Sequence, residues 1–460
     1  MSLKTILKTK KSIFLDTIIA CSSPNGQGGV ALLRMSGSLS ISIAKKLSGR
    51  RSFRARYAHF CSLYHHDQQL DQVLLIVMPN PHSFTGEDVV EISCHGNPLV
   101  VQQIIDACIE CGARVARPGE FTRRALENGK MSLLQAEALN GFIHARTLEG
   151  IQLVRNNMKG ELDKDVLQMK EQLLDICAEL EAILDHPDDD LSMMSDDAIC
   201  SLLQEIANVS HQSAQNWKSN RIGIKGAKVA LIGSVNAGKS SLFNQLVGFE
   251  RAIVSDIPGT TRDVVEKTIL LDGMEICFFD TAGARIHTED SIEAQGIAMG
   301  ISMAKDVDLC LIVFSLKEWE QNQQYIETQL DELAQSVYPA SILKVGTHLD
   351  LVHDTPTVDS VVSNYDREGI ETLKKKILEN LRARPSSAAA YTVVSQRQYE
   401  LFLSIARHCH QACEAIMGIY GPAVAVEEVI SALERISELT GEEVREQVLD
   451  RLFSKFCIGK

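Results

Sequence analysis

Residues 227–248 read "AKVALIGSVNAGKSSLFNQLVG", and their order decides the architecture of the segment around them. An apolar run, a glycine loop of the form G-x-x-x-x-G-K-S (Gly233 to Ser240) and an amphipathic run follow one another, the strand, loop and helix context that makes this pattern a phosphate cradle. Gly233 and Gly238 let backbone N–H groups turn towards phosphate oxygens, where a helix N-terminus adds its positive end. Lys239 then reaches the β- and γ-phosphates and the Ser240 hydroxyl holds magnesium, with Ala237 and Ser241 completing the cradle.

Working outward, "EICFFDTAG" (residues 275–283) is a second buried strand ending in Asp280, Thr281, Ala282 and Gly283, the D-x-x-G pattern of GTP-binding proteins. Asp280 orients a magnesium water and the Gly283 amide senses the γ-phosphate. Between the two segments lies "SDIPGTTRD", whose Ser255, Asp256, Ile257, Pro258, Gly259, Thr260 and Thr261 fit a first switch loop with Thr261 on the metal. Base selection falls to "THLD", after the apolar run "SILKV". Its Asp350 carboxylate accepts both guanine N1–H and the exocyclic amine, while Thr347 and His348 stand where N-K-x-D proteins read and stack on the base. Guanine specificity is expected to be kept and affinity reduced. "SNYDREGIE", starting at Ser363, supplies a last base-contacting loop. The residue after Gly283 is Ala284, where a Ras-like protein has its water-orienting glutamine. Asn236, three places before Lys239, offers an amide oxygen to a monovalent cation, as do backbone carbonyls near Ser255, Ile257 and Thr260; otherwise Asn236 only shapes the loop.

The whole chain has 460 residues, 45% hydrophobic and 23% charged, which suits two or three folded domains. Its formal charge of −14 argues against a broad basic face for nucleic acid, so any RNA contact is local or shared with a partner. Twelve scattered cysteines suit reduced, cytosolic usage rather than a disulfide framework. "CIEC" and "HCHQAC" mimic redox or metal spacing, but core or helix-face positions are the better reading. At the start, Asp16 interrupts the apolar run that imitates a secretory signal, and no segment approaches the roughly 18 apolar residues of a membrane span. A cytoplasmic protein without membrane attachment is expected.

Residues 16–130 alternate short apolar runs with turn residues and read as a small α/β domain. From Met131 the pattern becomes helical: Leu162, Val166, Met169, Leu173, Ile176, Leu180 and Ile183 lay one apolar stripe. Helices return after residue 383, each too short to bury its face alone, so they are expected to pack on the helices of 131–220 around an inserted strand-rich domain. The fold class is therefore α/β and all-α multidomain: an N-terminal α/β domain at 1–130, a helical domain at 131–222 and 384–460, and an inserted Ras-like P-loop GTPase domain at 223–383.

These segments, with "DTIIACSSPNGQGGVALLRMSG", "SFTGEDVVEISCHG", "ARPGEFTRRALENGKMSLLQAEAL" and the terminal "FCIGK", resemble the MnmE (TrmE) family of tRNA-modification GTPases over nearly the whole length. The resemblance implies a homodimer with a folate-binding N-terminal domain and a G domain whose potassium-dependent dimerisation activates hydrolysis. It implies a GTP hydrolase (EC 3.6 class) that, with the flavoprotein MnmG (GidA) in a heterotetrameric or larger complex, modifies C5 of the wobble uridine (U34) of certain tRNAs. The resemblance further implies 5-formyl- or 5,10-methylene-tetrahydrofolate as the one-carbon donor. Asn236, Ser255, Ile257 and Thr260 are implied as potassium ligands and Ser240 and Thr261 as magnesium ligands. Glu293 matches the acidic residue that aims the attacking water. Arg34, Glu91 and Lys130 match folate contacts, and the tail brings Cys457 and Lys460 to the one-carbon site. Two departures are "THLD" and "ILDHPDDD", which lacks the usual arginine and phenylalanine. The alternative is a ribosome-assembly-type switch GTPase without folate chemistry, distinguished by the N-terminal motifs and "FCIGK".

Overall fold

The computed structural model describes residues 16–24, 26–185, 194–234, 236–248, 265–280, 307–337, 341–363, 365–382, 391–418, 420–442 and 446–459. Ser255, Asp256, Ile257, Pro258, Gly259, Thr260, Thr261, Thr281, Ala282, Gly283, Ala284, Glu293, Asn364 and Lys460 lie outside the described residues, as does "HPDDD". The chain divides into two compact units: residues up to Ala136 together with Ile436 onward, and Glu137–Arg435.

In the first unit the strands are β1 (Thr17–Cys21), β2 (Gly28–Ser36), β3 (His59–His65), β4 (Gln68–Met78), β5 (Val89–Gly96) and β6 (Ala113–Val115). They form one sheet in the order β3-β4-β5-β2-β1-β6, antiparallel except where β6 joins β1. His66 and Asp67 both take positive φ, as the tight β3–β4 hairpin requires. Helices α1 (Ser40–Ser48) and α2 (Pro98–Glu110) cover the sheet, and Ile43, Leu47, Ile104 and Cys108 join Leu33, Leu63, Leu75 and Ile92 in its core. Asn97 caps α2, accepting the Leu99 N–H, with Pro98 in the first helical turn. A short helix α3 (Glu120–Glu127) follows β6.

The second unit holds most of the helices: α4 (Leu133–His144, which begins in the first unit), α5 (Leu148–Met158), α6 (Glu161–Asp185), α7 (Asp196–Gln215) and α8 (Trp217–Lys225). Of the apolar stripe on α6, Leu162 through Leu180 are buried and Ile183, near the helix end, is half-buried. The inserted sheet comprises β7 (Ala227–Ile232), β8 (Val265–Leu271), β9 (Met274–Asp280), β10 (Leu309–Ser315), β11 (Ser341–Thr347) and β12 (Ser360–Val361), in the order β12-β11-β10-β7-β9-β8. All neighbours are parallel except the β8 edge. Every residue of β10 is buried. Leu309, Leu311 and Val313 face a core with helices α9 (Lys239–Gly248) and α12 (Arg367–Leu381), while Ile312 and Phe314 face α10 (Leu316–Gln321) and α11 (Gln323–Ser336). That two-sided burial is what a doubly covered parallel sheet demands of its central strand.

After the insertion, α13 (Gln396–Met417) packs along α7, where the Cys200 thiol donates to the Cys413 carbonyl at 3.7 Å, and α14 (Gly421–Thr440) follows. Helices on either side of the inserted domain thus share one interface. The last helix, α15 (Glu446–Phe453), groups instead with the N-terminal unit, although residues 384–460 read as one helical segment in sequence. The reason is local burial: Phe453 and Phe456 close over Ala136 beside Leu126 and Met131.

No disulfide joins any of the twelve cysteines. Cys108 of "CIEC" and Cys409 of "HCHQAC" are buried in helix faces, and burial pushes both thiols up to about 12. Among the described residues no helix is long and apolar enough to cross a membrane.

Candidate functional sites

The carboxyl ends of β7, β9 and β11 and the segment after β12 collect the sequence-derived nucleotide residues, the position where open parallel sheets bind ligands. β7 runs into the loop Gly233–Gly238, and α9 begins at Lys239. A Cβ on Gly233 would collide with the Val313 carbonyl oxygen of β10, so only glycine lets the loop leave the sheet there. Gly238 takes φ +83 and Asn236 φ +65, and the Asn236 side chain is exposed. The Lys239 ammonium is turned back onto its own loop, donating to the carbonyls of Gly233 at 2.8 Å and Ser234 at 2.6 Å. A loop that holds its lysine on carbonyl oxygens fits a phosphate group, whose oxygens offer the same ammonium stronger, charged acceptors. Asp280 is buried at the end of β9, in register with Leu231 two residues before the loop.

Thr347, from "THLD", is buried, and its hydroxyl lies 2.7 Å from the Ala237 carbonyl and 3.1 Å from that of Phe314. It braces the phosphate loop from the end of β11. His348 takes φ +61 and its Nδ1 lies 3.0 Å from the Ser315 hydroxyl. Asp350 is exposed, and the buried Ser363 donates its hydroxyl to Asp350 Oδ1 at 2.7 Å. That hydrogen bond, with one from its own backbone N–H, holds the Asp350 carboxyl below the usual carboxylate range. The sequence placed Ser363 in a base loop; its grip on Asp350 carries no sequence signal, because the two residues meet only when β12 lies beside β11.

In the N-terminal unit, Arg34 on β2 and Glu91 on β5 are direct register partners. Arg34 Nε and Nη2 both donate to Glu91 Oε1, at 2.9 and 2.8 Å. The guanidinium also lies 5.5 Å from the Phe84 ring centre and 5.9 Å from that of Phe121. Lys130 meets the loop of "SFTGED" at Gly86, where an added Cβ would stand 2.9 Å from the lysine Cε. An ion pair flanked by aromatic rings, with Glu91 Oε2 accepting nothing among the described residues, fits a heteroaromatic ligand with a guanidine-like edge and anionic groups. Phe84 and Phe121 were not singled out in the sequence; only their stacking on Arg34 reveals them.

The loop is braced by Arg124, fully buried, which donates to Asp16, Glu87 and Glu120. The chain end lies beside β1 and α3. Ser22 donates its hydroxyl to the Gly459 carbonyl at 2.9 Å, and the Gly119 N–H points to the Cys457 carbonyl at 3.4 Å. Cys457 itself is exposed.

Residues 17–130 match the family described as "GTP-binding protein TrmE N-terminus", and residues 133–457 match the "MnmE helical domain". Among curated relatives, the tRNA modification GTPase MnmE of Moorella thermoacetica is 36% identical over 97% of this chain and 99% of its own. The protein of the same name from Francisella tularensis subsp. holarctica is 34% identical with the same coverage. Solved structures similar to part of the chain include the G domain of the T. maritima FeoB iron transporter, 26% identical over 34% of this chain and 98% of that one, with a TM-score of 0.26.

Proposed function

The chain belongs to the MnmE family of tRNA modification GTPases, and from that premise we propose a potassium-dependent GTP hydrolase that modifies C5 of the wobble uridine of certain tRNAs together with the flavoprotein MnmG. Its G domains act as a pair and its N-terminal domain binds tetrahydrofolate. When bound, Mg2+ and K+ neutralise charge on the transferring phosphoryl group, and the folate carries the one-carbon unit.

The chain's own residues do the rest. Lys239 exchanges the carbonyls of Gly233 and Ser234 for phosphate oxygens, a switch that couples nucleotide binding to the shape of the loop. Ser240 would hold magnesium and Asn236 potassium, its exposed side chain being carried on a left-handed turn of the same loop. Asp350, kept ionised by Ser363, accepts the guanine edge. Arg34, Glu91 and Lys130 would hold the folate, with the ring of Phe84 alongside, and the tail anchored by Gly459 would present Cys457. The observation that carries the reading is the convergence of Lys239, Asp280 and the Asp350–Ser363 pair at the carboxyl ends of the strands of one sheet, with Thr347 bonded to the phosphate loop.

GTP turnover of the full chain in potassium and in sodium at equal ionic strength tests it, measured across protein concentration. Faster turnover in potassium, rising with concentration, is expected. Equal turnover in both salts, independent of concentration, refutes potassium-driven pairing. Nucleoside analysis of tRNA from cells lacking the gene tests the uridine reading.

A further inference from the structure

Between Asp16 and Asp67 the sequence contains no Asp or Glu, yet it carries Arg34, Lys45, Lys46, Arg50, Arg51, Arg54 and Arg56. In a chain with 60 acidic residues this is a local reversal of sign. Arg34 pairs with Glu91. The other six are exposed, on the last turn of α1 and the connection to β3, and form no ion pair among the described residues.

That connection is built rather than loose. The ring of His59, buried at the start of β3, accepts the Arg54 backbone N–H at 3.0 Å and packs edge-on against Phe53 and Tyr57. The Arg50 guanidinium lies 6.0 Å from the Phe53 ring centre and that of Arg54 5.6 Å from the Tyr57 ring centre. Arg56 donates to the His82 carbonyl. Tyr57 and Phe60 nevertheless stay 53% and 64% exposed. Six cations without acidic partners mark an anionic partner. Exposed rings interleaved with guanidinium planes distinguish nucleic acid from an acidic protein, because unpaired bases stack on both.

We propose that the connection between α1 and β3 is an RNA-binding surface, with Lys45, Lys46, Arg50, Arg51 and Arg54 neutralising backbone phosphates and Tyr57 and Phe60 stacking on unpaired bases. The choice of tRNA as its ligand rests on the tRNA-modification reading above. The surface supplies the local contact that an acidic chain needs.

The test is fluorescence anisotropy of the full chain with an unmodified tRNA transcript, across about 50 to 200 mM salt. The R50Q/R51Q/R54Q variant is expected to bind at least tenfold more weakly at low salt, with a slope of log K against log salt shallower by about two. Tyr57→Ala is expected to weaken binding roughly tenfold with the slope unchanged. In both, the thermal midpoint and tRNA-free GTP turnover stay at wild-type values, which separates lost binding from misfolding. Wild-type affinity and slope in the triple variant overturn the proposal. So does a defect confined to self-association or to capture of an acidic protein. If the variants bind tRNA normally while GTP turnover and uridine modification persist, the patch fails and the functional reading stands. If patch-dependent binding holds but cells lacking the gene keep their modified uridine, the reading fails and the patch stands.

Discussion

Thr347 places its buried hydroxyl 2.7 Å from the carbonyl oxygen of Ala237, tying the end of β11 to the phosphate loop after β7. The contact joins residues 110 positions apart. Thr347→Val keeps the shape and removes the donor, stranding a buried carbonyl at a cost of about 1–3 kcal/mol. GTP affinity, measured by calorimetric titration, is expected to fall by tenfold or more with a lowered unfolding temperature. Unchanged affinity would mean that the two loops act independently.

Ser363 sets the acid limit of base recognition. Its hydrogen bond is the main force holding the Asp350 carboxyl below the usual range, so the carboxylate survives to lower pH than a free aspartate. Guanine binding through Asp350 is therefore present above the ordinary carboxylate range and is lost only as pH falls through the depressed value. Ser363→Ala should move the loss of GTP affinity to higher pH, and Asp350→Asn should favour xanthine nucleotide over GTP. Nucleotide titrations between pH 4 and 7 check both; an Asp350→Asn variant that still prefers GTP sinks the assignment.

Arg114 and Arg124 together set the acid response of the carboxylates around them. Burial alone would raise the Asp16 and Glu120 carboxyls, but both are lowered: Asp16 by hydrogen bonds and charge from Arg114 and Arg124, Glu120 by hydrogen bonds from Arg114, the Arg117 backbone N–H and Arg124 and by the Arg114 charge. Groups with depressed pKa stabilise the fold above the ordinary carboxylate range, and the contribution is lost as pH falls through the depressed values. Arg124→Met leaves the buried Glu87 without a cationic partner and Glu120 with Arg114 alone, at a cost of about 3–5 kcal/mol near pH 7. Calorimetry should show the deficit shrinking as pH falls below the ordinary carboxylate range and Glu120 protonates. A deficit independent of pH would assign the loss to packing.

The anchored tail predicts a separation of two activities. Gly119 takes φ +68, and a Cβ there would stand 2.7 Å from the Phe453 carbonyl oxygen, while Phe456 is buried beside Phe453. Gly119→Ala and Phe456→Ala should each release the tail, the latter costing about 3 kcal/mol locally. Limited proteolysis then cuts near residue 453, and uridine modification falls while GTP turnover persists. Cys457→Ser distinguishes a covalent role from a positioning one: full modification by that variant removes the nucleophile.

Thiol labelling near pH 7 should find Cys457 first. Burial pushes Cys94 and Cys310 up to about 11 and Cys108 and Cys409 to about 12, leaving them as inert thiols. Rapid modification of any of these four in the folded chain, read by peptide mass, contradicts the packing described here.

The phosphate loop and the helical stripe were legible because their information is local. Gly233, Gly238 and Lys239 lie within seven positions, and the α6 stripe repeats with the helix period. The tail was harder to place: the pattern of residues 384–460 is helical throughout, and nothing in it says that Phe453 and Phe456 bury against Ala136 rather than with α13. "THLD" was legible as a base loop, yet the job of Thr347 was not, since a threonine near a ligand and a threonine bracing a neighbouring loop look alike in one dimension.

By itself the sequence determined which segments become strands, helices and phosphate cradle, since propensity, period and glycine conformation act between near neighbours. Only the tertiary structure decided that Ser363 holds Asp350, that Arg34 faces Glu91, that Arg124 gathers three acidic residues and that Gly459 returns to Ser22. Those pairs are separated by 4 to 437 positions, nearly all by more than ten. Their hydrogen bonds need two atoms within about 3 Å, a condition set by sheet order and packing rather than by any local run of residues.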